Sequence, residues 1–367
     1  ARHGQGVQSL SIMFLFKAFV ELILGDLYRP ESSAVLALEE PETHLHPQAA
    51  RSLWRHINEL PGQKIVTTHS PYFLQHVPFR DIRVVRVEAN GTTISSLPRQ
   101  FRAAIPHIAA LDPIIAASGG LITYDRSLGE LVLAGTLSED DFRKLLIAYL
   151  GRPDMAALHA ALRQAYNASK EFIPDEELDQ LETFARRIRG EIFFARRWLL
   201  VEGQSDYRLV HGIAKGLGYD LDEHGVAVID FQNCGNPEIF AVLARALRYP
   251  WLVVVDGDPA GHGYLAKIAS RSFSQNEMAR RSFVLPAGYL EQQLVADGLQ
   301  AELKAILVSL GNPAAAFLDD ATLITTLKED KSGYAAILGK QCAENPALAQ
   351  RMPEPFRRAI QSLRGLT

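Results

Sequence analysis

Trp198–Asp206 reads WLLVEGQSD and Val253–Asp258 reads VVVDGD. Each is an apolar run that ends on acids, which is the pattern of a buried strand whose carboxyl end opens onto a polar site. Alternate residues of a strand share a face, so Asp256 and Asp258 are expected to point the same way. Glu202 closes the other run. Gly203 is expected to permit a sharp turn there, and Asp206 follows Glu202 at about one helical turn. Asp206 by itself also reads as a helix cap, because helix N-termini attract acids. If the two runs are neighbouring strands, Glu202, Asp256 and Asp258 converge. Carboxylates packed so closely repel one another. A hard divalent cation with oxygen ligands, Mg²⁺ or Mn²⁺, is what normally neutralises such a group.

Around these runs the chain alternates strand and helix. After Trp198 come a helix over Asp206–Leu217, the strand VAVIDF (Val226–Phe231), the helix PEIFAVLARALR, the strand beginning at Trp251 and a further strand SFVLP (Ser282–Pro286). Continuous apolar strands between helices predict an α/β fold with a largely parallel sheet covered on both faces. We expect this domain over residues 198–300, completed by a helical extension over 301–367. Residues 106–197 carry apolar residues at helical spacing in FRKLLIAYL and MAALHAALRQAY, with Ser138 as an N-cap, and read as an insert almost free of strands.

The first 105 residues end another α/β unit. A long apolar helix is expected over Leu10–Leu24, and a strand over Ala34–Glu40. A helix over Pro47–Glu59 and a strand over Lys64–Ser70 follow, then a hairpin that turns at Asn90-Gly91. The first strand ends on Glu39 and Glu40 in LALEEPETHLHP, and the second leads to His69 in TTHSP. An acid at such a strand end can hold Mg²⁺, its neighbour can polarise a water, and a histidine beyond the next strand can sense a γ-phosphate.

Bulk properties narrow the partners. The net charge of −4 over 367 residues offers no global polycation, so any nucleic-acid surface has to be local. Cys234 and Cys342 are the only cysteines and sit in no zinc-binding spacing, which fits a reducing cytoplasm. The apolar run Leu10–Leu24 is interrupted by Lys17 and Glu21 and is too short to span a bilayer. Because Ala1 falls in what reads as mid-domain, the chain is expected to be part of a longer protein.

Residues 1–105 resemble the C-terminal half of an ABC-type ATPase lobe of the RecF/SMC kind. Glu39 matches its metal-side acid, Glu40 its catalytic glutamate and His69 its switch histidine, while GQGVQSL (Gly4–Leu10) is similar to its signature motif. No G-x-x-x-x-G-K-[ST] occurs in the sequence. The chain as given is therefore not expected to bind ATP well, and ATP is expected only in the full-length protein. The resemblance also implies a homodimer.

Residues 198–300 resemble a Toprim domain, with a glutamate after its first strand and a DxD pair after a later one. The order of ATPase lobe, helical region and Toprim domain resembles the OLD (overcoming lysogenization defect) family of nucleases. That resemblance implies DNA nicking or cleavage with two divalent metals, in which Glu202 and Asp206 hold one ion, and Asp256, Asp258 and Glu291 hold or share the other. Lys331 matches the position that stabilises charge on the phosphate, with Lys328 as the competing residue. DNA would be gripped through its phosphates, with Arg186, Arg187, Arg189, Arg196, Arg197, Arg280 and Arg281 as candidate contacts.

Rival readings lack their parts. A topoisomerase needs a tyrosine in a separate DNA-gate domain, a primase would bring zinc cysteines, and a haloacid-type phosphatase would leave Glu202 and the ATPase half unexplained. A non-catalytic, ATP-driven DNA clamp with a vestigial Toprim fold remains the alternative from another class.

Overall fold

The computed structural model describes residues 35–366 except His44, Pro61, His76, Ala89, Asn90, Ile188, Arg189 and Cys234, together with Ser11, Phe14 and Ala18. The side chains of Arg51, Ser52, Lys331 and residues 182–187 also lie outside the description. The helix expected over Leu10–Leu24 and the GQGVQSL stretch fall almost wholly outside it, as does the Asn90 half of the expected hairpin turn.

The chain divides into two compact units, residues 1–82 with 180–194, and residues 83–179 with 195–367. In the first, β1 (Val35–Glu39) and β2 (Gln63–Thr67) run parallel, with Glu39 opposite Thr67. Between them runs α1 (Pro47–Glu59), opened by Pro47 and by His46, whose Nδ1 accepts the Gln48 N–H. Proline suits that first position because its missing N–H would have had no helical partner. Leu53 and Ile57 bury one stripe of α1, and Trp54 meets Phe73 edge-on, in the short helix α2 (Pro71–Leu74).

The second unit begins with the antiparallel hairpin β3 (Val84–Glu88) and β4 (Gly91–Ser95). Next comes a three-stranded antiparallel sheet of β5 (Phe101–Ala104), β6 (Ile122–Asp125) and β7 (Glu130–Leu133), ordered β5-β7-β6, with α3 (Asp112–Ala117) before β6. This sheet corrects the expectation that residues 106–197 are almost free of strands. Its strands have four residues each, too short for periodicity to register. The local signal was the turn between β6 and β7, where Asp125 Oδ1 accepts the N–H groups of Ser127 and Leu128, and Gly129 adopts φ +69°. The helices expected after it form as α4 (Glu139–Ala148) and α5 (Met155–Ser169), and α6 (Asp175–Arg187) begins in the second unit and belongs to the first from Gln180 on. Ser138 caps α4 by accepting the Asp141 N–H. Phe142 of α4 stacks on Tyr166 of α5, with ring centroids 4.1 Å apart.

The remaining residues build a four-stranded, wholly parallel sheet ordered β11-β10-β8-β9. Its strands are β8 (Arg197–Val201), β9 (Val226–Asp230), β10 (Trp251–Val255) and β11 (Ser282–Val284). The central pair, β8 and β10, is buried on both faces, which is why both read as unbroken apolar runs. Helices α7 (Gln204–Gly216), α8 (Pro237–Ala246), α9 (Pro259–Ser270) and α10 (Gln275–Arg281) connect the strands. After β11 the chain is helical throughout: α11 (Leu290–Ala296), α12 (Gln300–Ser309), α13 (Asp320–Glu329), α14 (Lys331–Glu344), α15 (Pro346–Ala349) and α16 (Glu354–Gly365).

Helices α7 and α14 pack in close backbone contact. A Cβ at Gly212 of α7 would lie 2.0 Å from the carbonyl oxygen of Gly339 in α14, and one at Gly216 would lie 2.1 Å from that of Cys342. Glycine on this face lets the two helix backbones touch, and a methyl group would push them apart. The contact brings the start of α14 beside the start of α7, at the carboxyl edge of the sheet.

Candidate metal centre

The acids sit just past the carboxyl ends of the two central strands. Trp251 to Val254 of β10 pair in register with Trp198 to Val201 of β8, so Glu202 and the residues after Val255 emerge side by side. Glu202 is 5% exposed; one carboxylate oxygen accepts the backbone N–H of Asp256 at 3.0 Å and the other the Gln232 side-chain amide at 2.8 Å. Gln232 also donates its backbone N–H to the Glu202 carbonyl, at 3.1 Å. This glutamine was missed in the sequence, although a polar residue directly after the apolar strand VAVIDF was the signal available.

Asp206, 8% exposed, lies in the first turn of α7 and accepts the Gly203 N–H at 2.9 Å, so the helix-capping role is real. Gly203 itself is in extended backbone, φ −141° and ψ −176°, which any residue adopts. A Cβ there would make only ordinary contacts, the nearest 3.5 Å from Gln232 Oε1. The sharp turn assigned to this glycine is thus not its role. The glycines that the site requires are Gly257, whose Cβ would fall 2.1 Å from the Leu285 carbonyl oxygen, and Gly261, whose Cβ would fall 2.0 Å from that of Asp256.

The DGD pair is split between elements. β10 ends at Val255, and Asp258 is the N-cap of α9, where its Oδ1 accepts the Gly261 N–H at 2.7 Å. Asp256 stands between them, half-buried. Burial, and then the charges of Asp206, Glu202, Glu291 and Asp258, push its carboxyl up to about 8. Four further acids therefore lie within electrostatic reach of Asp256, and near neutral pH it relieves the repulsion by holding a proton.

Glu291, in the first turn of α11, is 1% exposed. Its Oε1 accepts the phenol O–H of Tyr334 at 3.0 Å, while its Oε2 is buried with no hydrogen-bond donor. Tyr334 is completely buried in α14, and burial together with the nearby Glu291 and Asp206 charges raises its hydroxyl well above the ordinary tyrosine range. In the sequence, Tyr334 stands beside the charged run Lys328–Lys331, which masks its buried helical position. Yet Tyr334, Leu338 and Cys342 form an i, i+4, i+8 stripe, all fully buried.

Lys331 opens α14, next to the N-cap Asp330. Lys328, its competitor, places Nζ 3.3 Å from the centroid of the Tyr289 ring. Two of the candidate DNA contacts lie at the other edge of the sheet. Arg281 donates to the Trp251 carbonyl at 3.1 Å, and Arg197 donates to the Leu366 carbonyl, both at strand starts. Arg186, Arg187 and Arg189 fall outside the described side chains.

The donor set fits hard cations: oxygen atoms only, one of them a buried carboxylate oxygen without a donor. Among the described residues, no group of three or more His, Cys, Asp or Glu side chains stands ready-made to hold an ion. Glu202, Asp206 and Asp258 instead hold backbone N–H groups.

In the first unit, β1 and β2 bring Glu40 and His69 together, with Oε1 and Nε2 3.4 Å apart. Glu40 adopts φ +40°, a left-handed conformation uncommon for a non-glycine residue, and its N–H donates to the Thr67 carbonyl at 3.0 Å. Glu39 is exposed one position earlier. Among the described residues no helix is long and apolar enough to cross a membrane.

Comparison with known proteins matches two stretches of the chain to families. Residues 193–258 match the family "Overcoming lysogenization defect protein-like, TOPRIM domain", and residues 1–74 match "AAA ATPase domain". The chain is 26% identical over 270 residues to "Uncharacterized protein YbjD" of Escherichia coli (strain K12), covering 73% of this chain and 36% of that protein. It is 26% identical over 259 residues to "OLD nuclease" of Thermus scotoductus (strain ATCC 700910 / SA-01), covering 70% and 35%. The chain thus spans about a third of the length of the curated relatives it matches. Among solved structures, it resembles the C-terminal region of the Burkholderia pseudomallei OLD protein, with TM-score 0.39 and 20% identity, over 47% of this chain and 98% of that one. The C-terminal region of the Xanthomonas campestris pv. campestris OLD protein gives TM-score 0.38 and 21% identity, over 48% and 95%. Residues 193–258 thus match an OLD-like Toprim domain, and residues 1–74 before them match an AAA ATPase domain.

Proposed function

We propose that the chain holds a two-metal DNA endonuclease site, coupled in a longer, dimeric, cytoplasmic protein to an ATPase. The observation that supports it most is the half-buried Asp256 among four further acids at the carboxyl edge of a parallel sheet. Such a concentration of negative charge is costly without cations. Glu202 and Asp206 would hold one ion, and Asp256, Asp258 and Glu291 would hold or share the second. Two ions, Mg²⁺ or Mn²⁺, would activate a water and stabilise the leaving oxygen of a phosphodiester.

The protein's own residues set the stage. Gln232 and the Asp256 N–H orient Glu202, the capping bond to Gly203 orients Asp206, and Lys331 would offset charge that develops on the phosphate. DNA would be held by its phosphates, with no base readout. In the ATPase part, Glu39 would serve the metal, Glu40 the attacking water and His69 the γ-phosphate, once ATP is bound by the full-length protein.

The test is a supercoiled plasmid incubated with Mg²⁺ or Mn²⁺ and either the wild-type chain or Asp256→Ala. Nicking by the wild type alone supports the proposal. An intact plasmid with the wild type at every metal concentration overturns it in favour of the non-catalytic clamp. Equal cutting by both proteins overturns the site.

A further inference from the structure

We propose that Tyr334 is a positioning residue, which fixes Glu291 through one oxygen so that the other is presented to a cation; this rests on the metal reading of the acid cluster. The phenol is 0% exposed and donates to Glu291 Oε1 at 3.0 Å, while Oε2 is equally buried and receives no hydrogen bond. A buried carboxylate with one oxygen satisfied and the other left bare is expensive as a purely structural arrangement. It is the geometry expected of a ligand held by a second residue and awaiting its ion.

The helix that carries the phenol is itself held tightly. Gly212 and Gly339 bring the backbones of α7 and α14 into contact, and a Cβ on Gly339 would in turn lie 2.8 Å from the Arg208 carbonyl oxygen. At its start, α14 is capped by Asp330, whose Oδ1 accepts the Gly333 N–H at 3.0 Å. The hydroxyl therefore has a fixed origin on α14, reaches across to α11, and ties Glu291 to the same frame that carries Asp206 on α7. Lys331 sits three residues before Tyr334 on that frame.

Mn²⁺ binding to the 367-residue chain, measured by calorimetry, tests this with Tyr334→Phe, Glu291→Gln, their double variant and Asp256→Asn. Phenylalanine keeps the ring and removes the hydroxyl, which donates to Glu291 and also pairs with the Ser205 side chain. Outer partners of metal ligands are worth about 10- to 100-fold in affinity, so Tyr334→Phe should weaken Mn²⁺ binding by about tenfold or more. The double variant should bind no more weakly than Glu291→Gln, because the phenol acts through that carboxylate. Wild-type affinity in Tyr334→Phe, or strictly additive losses in the double variant, overturns the inference. If Glu291→Gln and Asp256→Asn both bind Mn²⁺ as the wild type does, the metal reading falls first and takes the inference with it. A readout without variants is tyrosine ring carbon NMR of the wild type. Mg²⁺ should shift one buried tyrosine resonance, and an unmoved spectrum overturns the inference.

Discussion

The carboxylate of Glu202 accepts the backbone N–H of Asp256 across the two central strands, at 3.0 Å. The first acid of one strand end thereby fixes the backbone that presents the second. Its own charge meanwhile adds to the repulsion that keeps Asp256 protonated. Fold and chemistry make opposite demands on Glu202, and substitution separates them.

Glu202→Gln should retain an acceptor oxygen for the Asp256 N–H while removing one negative charge from the cluster. Without divalent metal, the variant should melt at or above the wild-type temperature. With metal, it should lose about a hundredfold or more of plasmid cleavage, since metal stabilisation of the reaction is worth several kcal/mol. Parallel melting curves in chelator and nicking time courses check both halves.

Asp256 makes stability depend on pH in a definite direction. Its folded-state value, about 8, lies above the unfolded value near 3.9, so between these the folded state binds more protons than the unfolded. The stabilisation is therefore fully present below about pH 4 and is lost as pH rises through about 8. Metal-free wild type should lose stability between pH 6 and 9 by more than Asp256→Asn does. Denaturant titrations across that range provide the comparison, and matching slopes would contradict the assignment.

The same proton must leave when a cation arrives. At pH 7, Mn²⁺ binding should release up to about one proton, and the release should fade above about pH 9. Calorimetry in two buffers of different ionisation enthalpy counts the protons directly, and Asp256→Asn should abolish the difference between buffers.

Two glycines give opposite expectations. Gly212→Ala drives a methyl group into the Gly339 carbonyl and should cost at least about 1–3 kcal/mol, with a loss of metal affinity as α14 shifts. Gly203→Ala meets no such obstacle and, at an N-cap, should cost no more than about 1 kcal/mol. Denaturant unfolding ranks the two, and the reverse order would contradict the helix contact described above.

Much of this site was legible in the sequence because strand-end acids announce themselves: WLLVE and VVVDGD carry both the burial and the charge of their elements. What was lost is instructive. Glu202 and Asp256 are 54 residues apart and meet through strand pairing, which the apolar runs encode. Gln232 and Tyr334 reach the site through side chains whose sequence neighbours say nothing of their partners. The β6–β7 pair escaped because four-residue strands are shorter than any reliable period. At Gly203 a glycine beside an acid suggests a turn, but the backbone there is extended and uses none. The GQGVQSL stretch lies outside the described residues.

Because α14 is made long after β8 and α7, the site has an order of assembly. Glu202 and Asp206 leave synthesis early, but the glycine contact and the Tyr334 hydrogen bond cannot form until more than a hundred further residues exist. A growing chain therefore carries its acids unassembled, and α14, made after all five of them, acts as the latch on the cluster.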